Sequence, residues 1–173
     1  MSDKWVYVGG TFDLFHSGHI NFLSKCAEYG KVIVALNTDQ FAARYKRRPI
    51  LSLAERYDAL DACRFVDKVV VNIGNEDSWV TIDAMPRDCK IKFIAHGDDW
   101  TGDSLLNQLN ISQHWLDIKD ISMLYIPYTA GISTSDIIGR INGEHHRRGN
   151  CSCGLGEPCS YAGATGEANP EAR

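Results

Sequence analysis

Five short runs of this chain carry apolar residues without strict alternation, and stretches of helical period separate them. The runs are Trp5 to Val8, Lys31 to Leu36, Lys68 to Val71, Ile91 to Ala95 and Met123 to Ile126. Runs of that kind suit strands buried on both faces of a parallel sheet. Between them the pattern predicts a helix over His19 to Tyr29, closed by Gly30 at the C′ position. A second helix covers Ser52 to Ala62, opened by the capping box Ser52-Leu53-Ala54-Glu55. Others open near Ser78, cover Leu105 to Trp115, and start at Ser133 with Asp136 three residues on. The expected fold class is α/β: a Rossmann-like, doubly wound parallel sheet of about five strands flanked by helices. Ligands bind such sheets outside the carboxyl ends of the strands, so functional residues are expected just after strands.

The 173 residues suffice for one domain, and the composition breaks near Gly143. Beyond that point there is no Val, Ile, Phe, Trp or Met, and Leu155 and Tyr161 are the sizeable apolar residues. Such a segment cannot bury enough surface to offset its ordering entropy. Residues 1–142 are therefore read as the domain and 143–173 as a flexible tail rich in Gly, Cys and His. Cys26, Cys63 and Cys89 lie in the domain, whereas Cys151, Cys153 and Cys159 crowd the tail with His145 and His146. The tail thiols and imidazoles suffice for Zn²⁺, but their spacing is not that of a structural zinc site, and a disordered tail is the expectation. No secretory or membrane-spanning stretch is legible, so a cytoplasmic location and no membrane span are expected. A net charge of −4 argues against nucleic acid as a partner.

The densest stretch follows the first run directly: Gly9-Gly10-Thr11-Phe12-Asp13-Leu14-Phe15-His16-Ser17-Gly18-His19. Glycines after a strand let backbone approach a ligand, and a helix opening near Gly18 offers free amides and a positive dipole end to an anion. His16 and His19, three apart, project to one side of the first turn, where both can donate hydrogen bonds to a phosphoryl oxygen. The bland alternative, a cap histidine and two turn glycines, explains each residue singly but not the combination. Ser133 and Thr134, opening a helix behind Gly131, present further donors. A basic run, Arg44-Tyr45-Lys46-Arg47-Arg48, follows the second strand and is read as a loop over the same mouth.

Gly10-Thr11-Phe12-Asp13 with His16-Ser17-Gly18-His19, together with Tyr128-Thr129-Ala130-Gly131-Ile132-Ser133-Thr134, resembles the HxGH nucleotidyltransferase superfamily in its cytidylyltransferase branch. Glu55 to Ala59 with Cys63 to Asp67 is similar to the choline-phosphate enzymes, and Gly97-Asp98-Asp99-Trp100 to the bacterial glycerol-3-phosphate enzymes. The resemblance implies transfer of CMP from CTP to a small alcohol phosphate with release of pyrophosphate, a homodimer, and Mg²⁺ as cofactor. His16, His19 and Lys46 are the implied catalytic residues. Gly9, Gly10, Thr11, Phe12, Gly97, Asp98, Tyr128, Thr129, Gly131, Ile132, Ser133 and Thr134 are expected, with the histidines, to bind nucleotide. Asp13, Arg47, Arg56, Arg64 and Trp100 are candidates for the acceptor, and Asp13 and Asp98 for Mg²⁺.

Three features depart from the family pattern: Tyr128 and Ala130 stand where it has Arg and Glu, and no Lys occurs between Lys68 and Lys90. Glycerol 3-phosphate is the first acceptor considered, with choline phosphate or ethanolamine phosphate as alternatives; Trp79, Trp100 and Tyr128 are candidates for a choline cage. An ATP-using adenylyltransferase and a nucleotide-binding module without turnover are the other readings.

Overall fold

The structure, a computed structural model, describes residues 4–98 and 103–143. The tail, with its five metal-ligand candidates, and Asp99 and Trp100 lie outside the described residues.

Along the chain run β1 (Lys4–Gly10), α1 (Ser17–Ala27), β2 (Lys31–Leu36), α2 (Asp39–Tyr45), α3 (Leu53–Asp61) and β3 (Lys68–Val71). Then follow α4 (Ser78–Asp83), β4 (Lys90–Gly97), α5 (Asp103–Leu109), α6 (Gln113–Lys119), β5 (Ser122–Ile126) and α7 (Thr134–Ile141). The five strands form one parallel sheet in the order β3-β2-β1-β4-β5. This is the doubly wound architecture expected from the apolar runs.

Period-two alternation along the strands, shifted once in β4 between Ile91 and Phe93, builds a core on both faces. Val6, Val8, Val32, Val34 and Val69 pack with Leu23 and Cys26 of α1 and Leu60 of α3 on one side. Tyr7, Ile33, Ala35, Ile91 and Ile94 pack with Ile82 of α4, Leu116 of α6 and Ile111 of the turn before α6 on the other. The order reverses between β1 and β4, which opens the crevice above their carboxyl ends.

Three local expectations are corrected. Helix α1 stops at Ala27 with Glu28 as a right-handed cap, so Gly30 is not its C′ residue. Gly30 is required instead because a Cβ there would stand 2.4 Å from the Lys4 carbonyl oxygen. The single helix expected over Leu105 to Trp115 is two: Asn110 turns left-handed (φ 49°), Ile111 N donates to Leu106 O at 3.0 Å, and Ser112 caps α6 by accepting from Trp115 N. The basic run is partly helical, because Thr38 accepts from Phe41 N and starts α2, which ends at Tyr45 with Lys46 as its cap. The Ser52–Glu55 capping box and the Ser133 cap stand as read.

Candidate functional site

The turn from β1 into α1 is held in a costly conformation. Phe12 (φ 51°) and Leu14 (φ 48°) both occupy the left-handed region, at about 1–3 kcal/mol each for such residues. Three contacts hold it there. The buried Phe12 ring meets His19 at 5.1 Å between centroids, Arg56 Nη1 donates to Thr11 O at 2.6 Å, and Thr134 Oγ1 donates to Asp13 O at 3.1 Å.

His16 is the N-cap of α1. Its Nδ1 accepts from Gly18 N at 3.1 Å, and His19 Nδ1 accepts from His16 N at 3.4 Å, so the two imidazoles close a reciprocal capping box. The rings stack at 3.8 Å. Gly18 lies between them because a Cβ there would be 3.0 Å from the His16 ring and 3.2 Å from Ile132 Cγ2. A backbone N–H can only donate, so both Nδ1 atoms are unprotonated and the proton of each neutral ring sits on Nε2. The cap therefore takes one amide expected to be free for an anion, and in exchange fixes two Nε2–H donors.

Both rings stay neutral near pH 7. Burial holds His16 below the ordinary histidine range, against the pull of Asp136. Burial, then the neighbouring His16, brings His19 down to about 3, with Asp13 opposing. Protonating Nδ1 would also break the capping box. An unfolded chain, whose histidines titrate near 6.5, binds more protons between pH 6.5 and 3 than the folded one, so stability is full above 6.5 and lost as pH falls. Urea midpoints of the wild type are expected to drop between pH 7 and 5, by at most about 1.4 kcal/mol per pH unit per histidine. A His19→Gln variant drops less. Parallel pH profiles for the two proteins would contradict the neutral, buried ring.

A cleft of about 310 Å³ lies over these groups, at the carboxyl ends of β1, β4 and β5. Of the expected nucleotide residues, Gly9, Gly10, Thr11, Phe12, His16, His19, Gly97, Tyr128, Thr129, Ile132, Ser133 and Thr134 line it, with Lys46. Gly131 (φ 81°) makes the turn before α7 but does not line the cleft. Tyr128 hydroxyl closes the same turn by donating to Ile132 O at 3.1 Å. Lys46 joins none of the ion pairs among the described residues. A second cavity, about 650 Å³, adjoins the cleft across Gly9, Gly10 and His96 and extends along Asn37, Tyr45, Asn72, Asn75, Glu76 and Gln108.

The acceptor and metal candidates are placed differently from expectation. Asp13 is 5% exposed, and its carboxylate accepts from Ile50 N and Leu51 N at 3.0 Å and pairs with Arg47 at 2.8 Å. Burial pushes this carboxyl up, but the Leu51 and Ile50 amides and Arg47 outweigh it and hold the group below its usual value. Asp13 and Arg47 thus tether the strand of chain after α2 and line neither cavity. Arg56 is fully buried, donating to the carbonyls of Leu51, Thr11 and Asn37 and pairing with Asp39 at 2.6 Å. It is a clamp beneath the site rather than a contact within it. Arg64 lies over Phe65 and lines neither cavity. Asp98 accepts from Tyr128 N at 2.9 Å, which joins the β4 and β5 ends. Trp100 lies outside the described residues.

The sequence reading missed His96, Asn37 and Asn72. His96 is a lone histidine at the end of β4. Asn37 and Asn72 are the residues that follow β2 and β3, and the rule that placed Gly9 and Gly10 could have found them.

Residues 7–140 match the family model described as Cytidylyltransferase-like. The chain is 37% identical over 141 residues to choline-phosphate cytidylyltransferase A of Mus musculus and 30% identical over 142 residues to ethanolamine-phosphate cytidylyltransferase of Dictyostelium discoideum. Each match takes in 79% of this chain but 36% of the relative, so the chain spans about a third of those proteins. Glycerol-3-phosphate cytidylyltransferase of Bacillus subtilis is 33% identical over 143 residues, covering 81% of this chain and 98% of that one. The crystal structure of the lipopolysaccharide core biosynthesis protein from Thermoplasma volcanium shares the fold, with a TM-score of 0.56 at 21% identity over 72% of this chain and 95% of that one. With the family model running from within β1 to within α7 and taking in the lining of both cavities, the chain belongs to the cytidylyltransferase-like family.

Proposed function

We propose that this chain transfers a cytidylyl group from CTP to a small alcohol phosphate. The observation that carries the proposal is the pair of stacked, neutral imidazoles at the glycine-lined end of β1. Their Nε2–H donors and the unpaired Lys46 face one cleft, which the Ser133-capped start of α7 closes from the far side. The names of the relatives support CTP and an alcohol phosphate as the substrates.

The nucleotide occupies the cleft, and the acceptor enters from the second cavity across Gly9 and Gly10. A phosphate oxygen of the acceptor attacks the α-phosphorus and forms the new P–O bond. The bond from that phosphorus to the bridging oxygen breaks, and its electron pair leaves with pyrophosphate. The attacking group is already an anion, so no general base is needed; alignment and electrostatic stabilisation carry the reaction. The histidine Nε2–H groups stabilise the α-phosphoryl oxygens, and Lys46, with the amide end of α7, holds the leaving pyrophosphate. The Ser133 and Thr134 hydroxyls donate to Asp136 Oδ2 and Asp13 O and fix that end of the cleft.

Among the described residues no three His, Cys, Asp or Glu side chains cluster as a metal cage. Asp13 is fully engaged and Asp98 accepts from Tyr128 N, and neither lines the cleft or the second cavity. Mg²⁺ fits this site as an ion brought in by the triphosphate, whose oxygens and water supply its ligands. The homodimer implied by the resemblance and a cytoplasmic location belong to the same proposal; sedimentation of the purified chain tests the former. Among the described residues no helix is long and apolar enough to cross a membrane.

Glycerol 3-phosphate is the first acceptor proposed, because the amide side chains of Asn75 and Gln108 line the second cavity and suit hydroxyl groups, beside the mutually bonded Asn37 and Asn72. Trp79 faces a separate groove with Trp115, and Tyr128 lies in the cleft, so neither cages a choline in the second cavity. The Glu76 carboxylate in that cavity favours a second reading, an ammonium-bearing acceptor such as ethanolamine phosphate. A pyrophosphate-release screen crossing CTP and ATP with glycerol 3-phosphate, choline phosphate, ethanolamine phosphate and sugar phosphates tests both. Release with CTP and one of the first three acceptors is expected. Release with ATP alone makes the chain an adenylyltransferase, and CTP binding without release on any acceptor makes it a nucleotide-binding module.

A further inference from the structure

Tyr45 is the last residue of α2 and is 52% exposed, its ring packing on Phe41 at 5.1 Å between centroids. Burial is therefore not what fixes its tip. The hydroxyl lies 3.2 Å from Thr11 Oγ1 and accepts from Asn37 Nδ2 at 2.9 Å. Asn37 is itself pinned, since its Oδ1 accepts from Asn72 Nδ2 at 2.8 Å, and Asn72 Oδ1 accepts from Thr81 at 2.7 Å. The surface ring thus ends on a rigid amide network anchored to β2, β3 and α4.

The next residue is Lys46, which leaves the helix at φ −136°, ψ −86° and reaches the phosphate-facing cleft. The residue after it, Arg47, pairs with Asp13. Lys46 is thereby bracketed by two tethers, one on each side in sequence, and both end on the loop at residues 11–13. Those tethers fix the backbone from which the lysine side chain departs. We propose that Tyr45 is a positioning residue whose hydroxyl, latched to Thr11 and Asn37, fixes the end of α2 so that Lys46 stands over bound triphosphate. The proposal rests on Lys46 meeting phosphate, as argued above, and concerns how that lysine is held.

A double-mutant cycle of Tyr45→Phe and Lys46→Ala tests it, read by calorimetric titration with inorganic triphosphate, a probe that needs neither base nor acceptor. Tyr45→Phe keeps the ring packing and removes one hydroxyl. It is expected to weaken triphosphate binding on the order of fivefold in the wild-type background, the scale of a lost hydrogen bond, and to leave binding unchanged when Lys46 is already Ala. A purely structural tyrosine would weaken both backgrounds equally; that additivity overturns the proposal, as does no effect in either. Equal thermal midpoints for Tyr45→Phe and wild type are expected, and a fall matched by loss of binding in the Lys46→Ala background counts against it. Parallel turnover with CTP separates the two claims. A coupled cycle without CTP turnover leaves the latch standing and defeats the cytidylyltransferase reading, while additivity with turnover does the reverse.

Discussion

Alanine at His16 or His19 is expected to lower kcat by about 10²- to 10³-fold with the fold retained, the usual effect of removing one preorganised donor from a transition state. Each ring has Nδ1 engaged by a backbone amide. The Nε2–H of His19 is left to donate and that of His16 meets the cleft-lining Thr134 Oγ1 at 3.5 Å, from which it turns to substrate, so each substitution removes one directed donor. That bond strengthens as charge develops on the α-phosphoryl oxygens, and the loss therefore falls on kcat more than on KM. His16 also caps α1, and losing a cap costs about 1 kcal/mol. The two roles separate with His16→Asn, because asparagine caps well but its shorter amide does not place a donor where Nε2 stood. Such a variant keeps the thermal midpoint within a degree or two of wild type, on the order of what an intact cap implies, yet loses turnover as the alanine variant does. A kcat within a few fold of wild type in either histidine variant would remove the imidazoles from the chemistry.

Arg56→Ala is expected to destabilise the fold by about 3–5 kcal/mol, the range for breaking a buried ion pair. The guanidinium is fully buried and satisfies three carbonyls, those of Thr11, Asn37 and Leu51. Its removal leaves these acceptors without partners and Asp39 without its counter-ion. Lysine does not rescue, since a single ammonium cannot span the fork that the guanidinium fills. Urea denaturation measures the loss directly. An arginine that merely contacted the acceptor would instead raise KM and leave the urea midpoint in place, so the pair of readouts distinguishes the clamp from a substrate contact.

The contrast between these two predictions shows what the sequence carried. The strands over Lys31 to Leu36 and Lys68 to Val71, the Ser52–Glu55 box and the Ser133 cap were legible because local pattern decides them. His16 and His19 were legible as a pair, although their mutual capping was not, since it depends on the extended backbone at His16. The charged residues were the least legible. Arg56 and Arg64 share a helix-like context in sequence, yet one is buried beneath the loop at residues 11–13 and the other lies across Phe65. What separates them is a contact 45 residues away, which no local pattern encodes. Asp13 was misread for the same reason: a carboxylate after a strand looks available, but the amides of Ile50 and Leu51 return to fill it. Helix α2 was hidden by the basic run at its end, whose charges suggested a solvated loop, while the Thr38 cap and the Tyr45 latch gave it a surface to close on.

The central claim, that the stacked imidazoles and Lys46 serve transfer of a cytidylyl group to an alcohol phosphate, is tested most directly by following the phosphorus atoms. Phosphorus NMR of CTP mixed with glycerol 3-phosphate, ethanolamine phosphate or choline phosphate and wild-type protein is predicted to show, with one of the three, two new coupled resonances of a diphosphodiester. They grow in step with pyrophosphate and are absent when His16→Asn protein is used. CMP and pyrophosphate without the coupled pair would mean hydrolysis rather than transfer, and an unchanged CTP spectrum with all three acceptors would contradict the account outright.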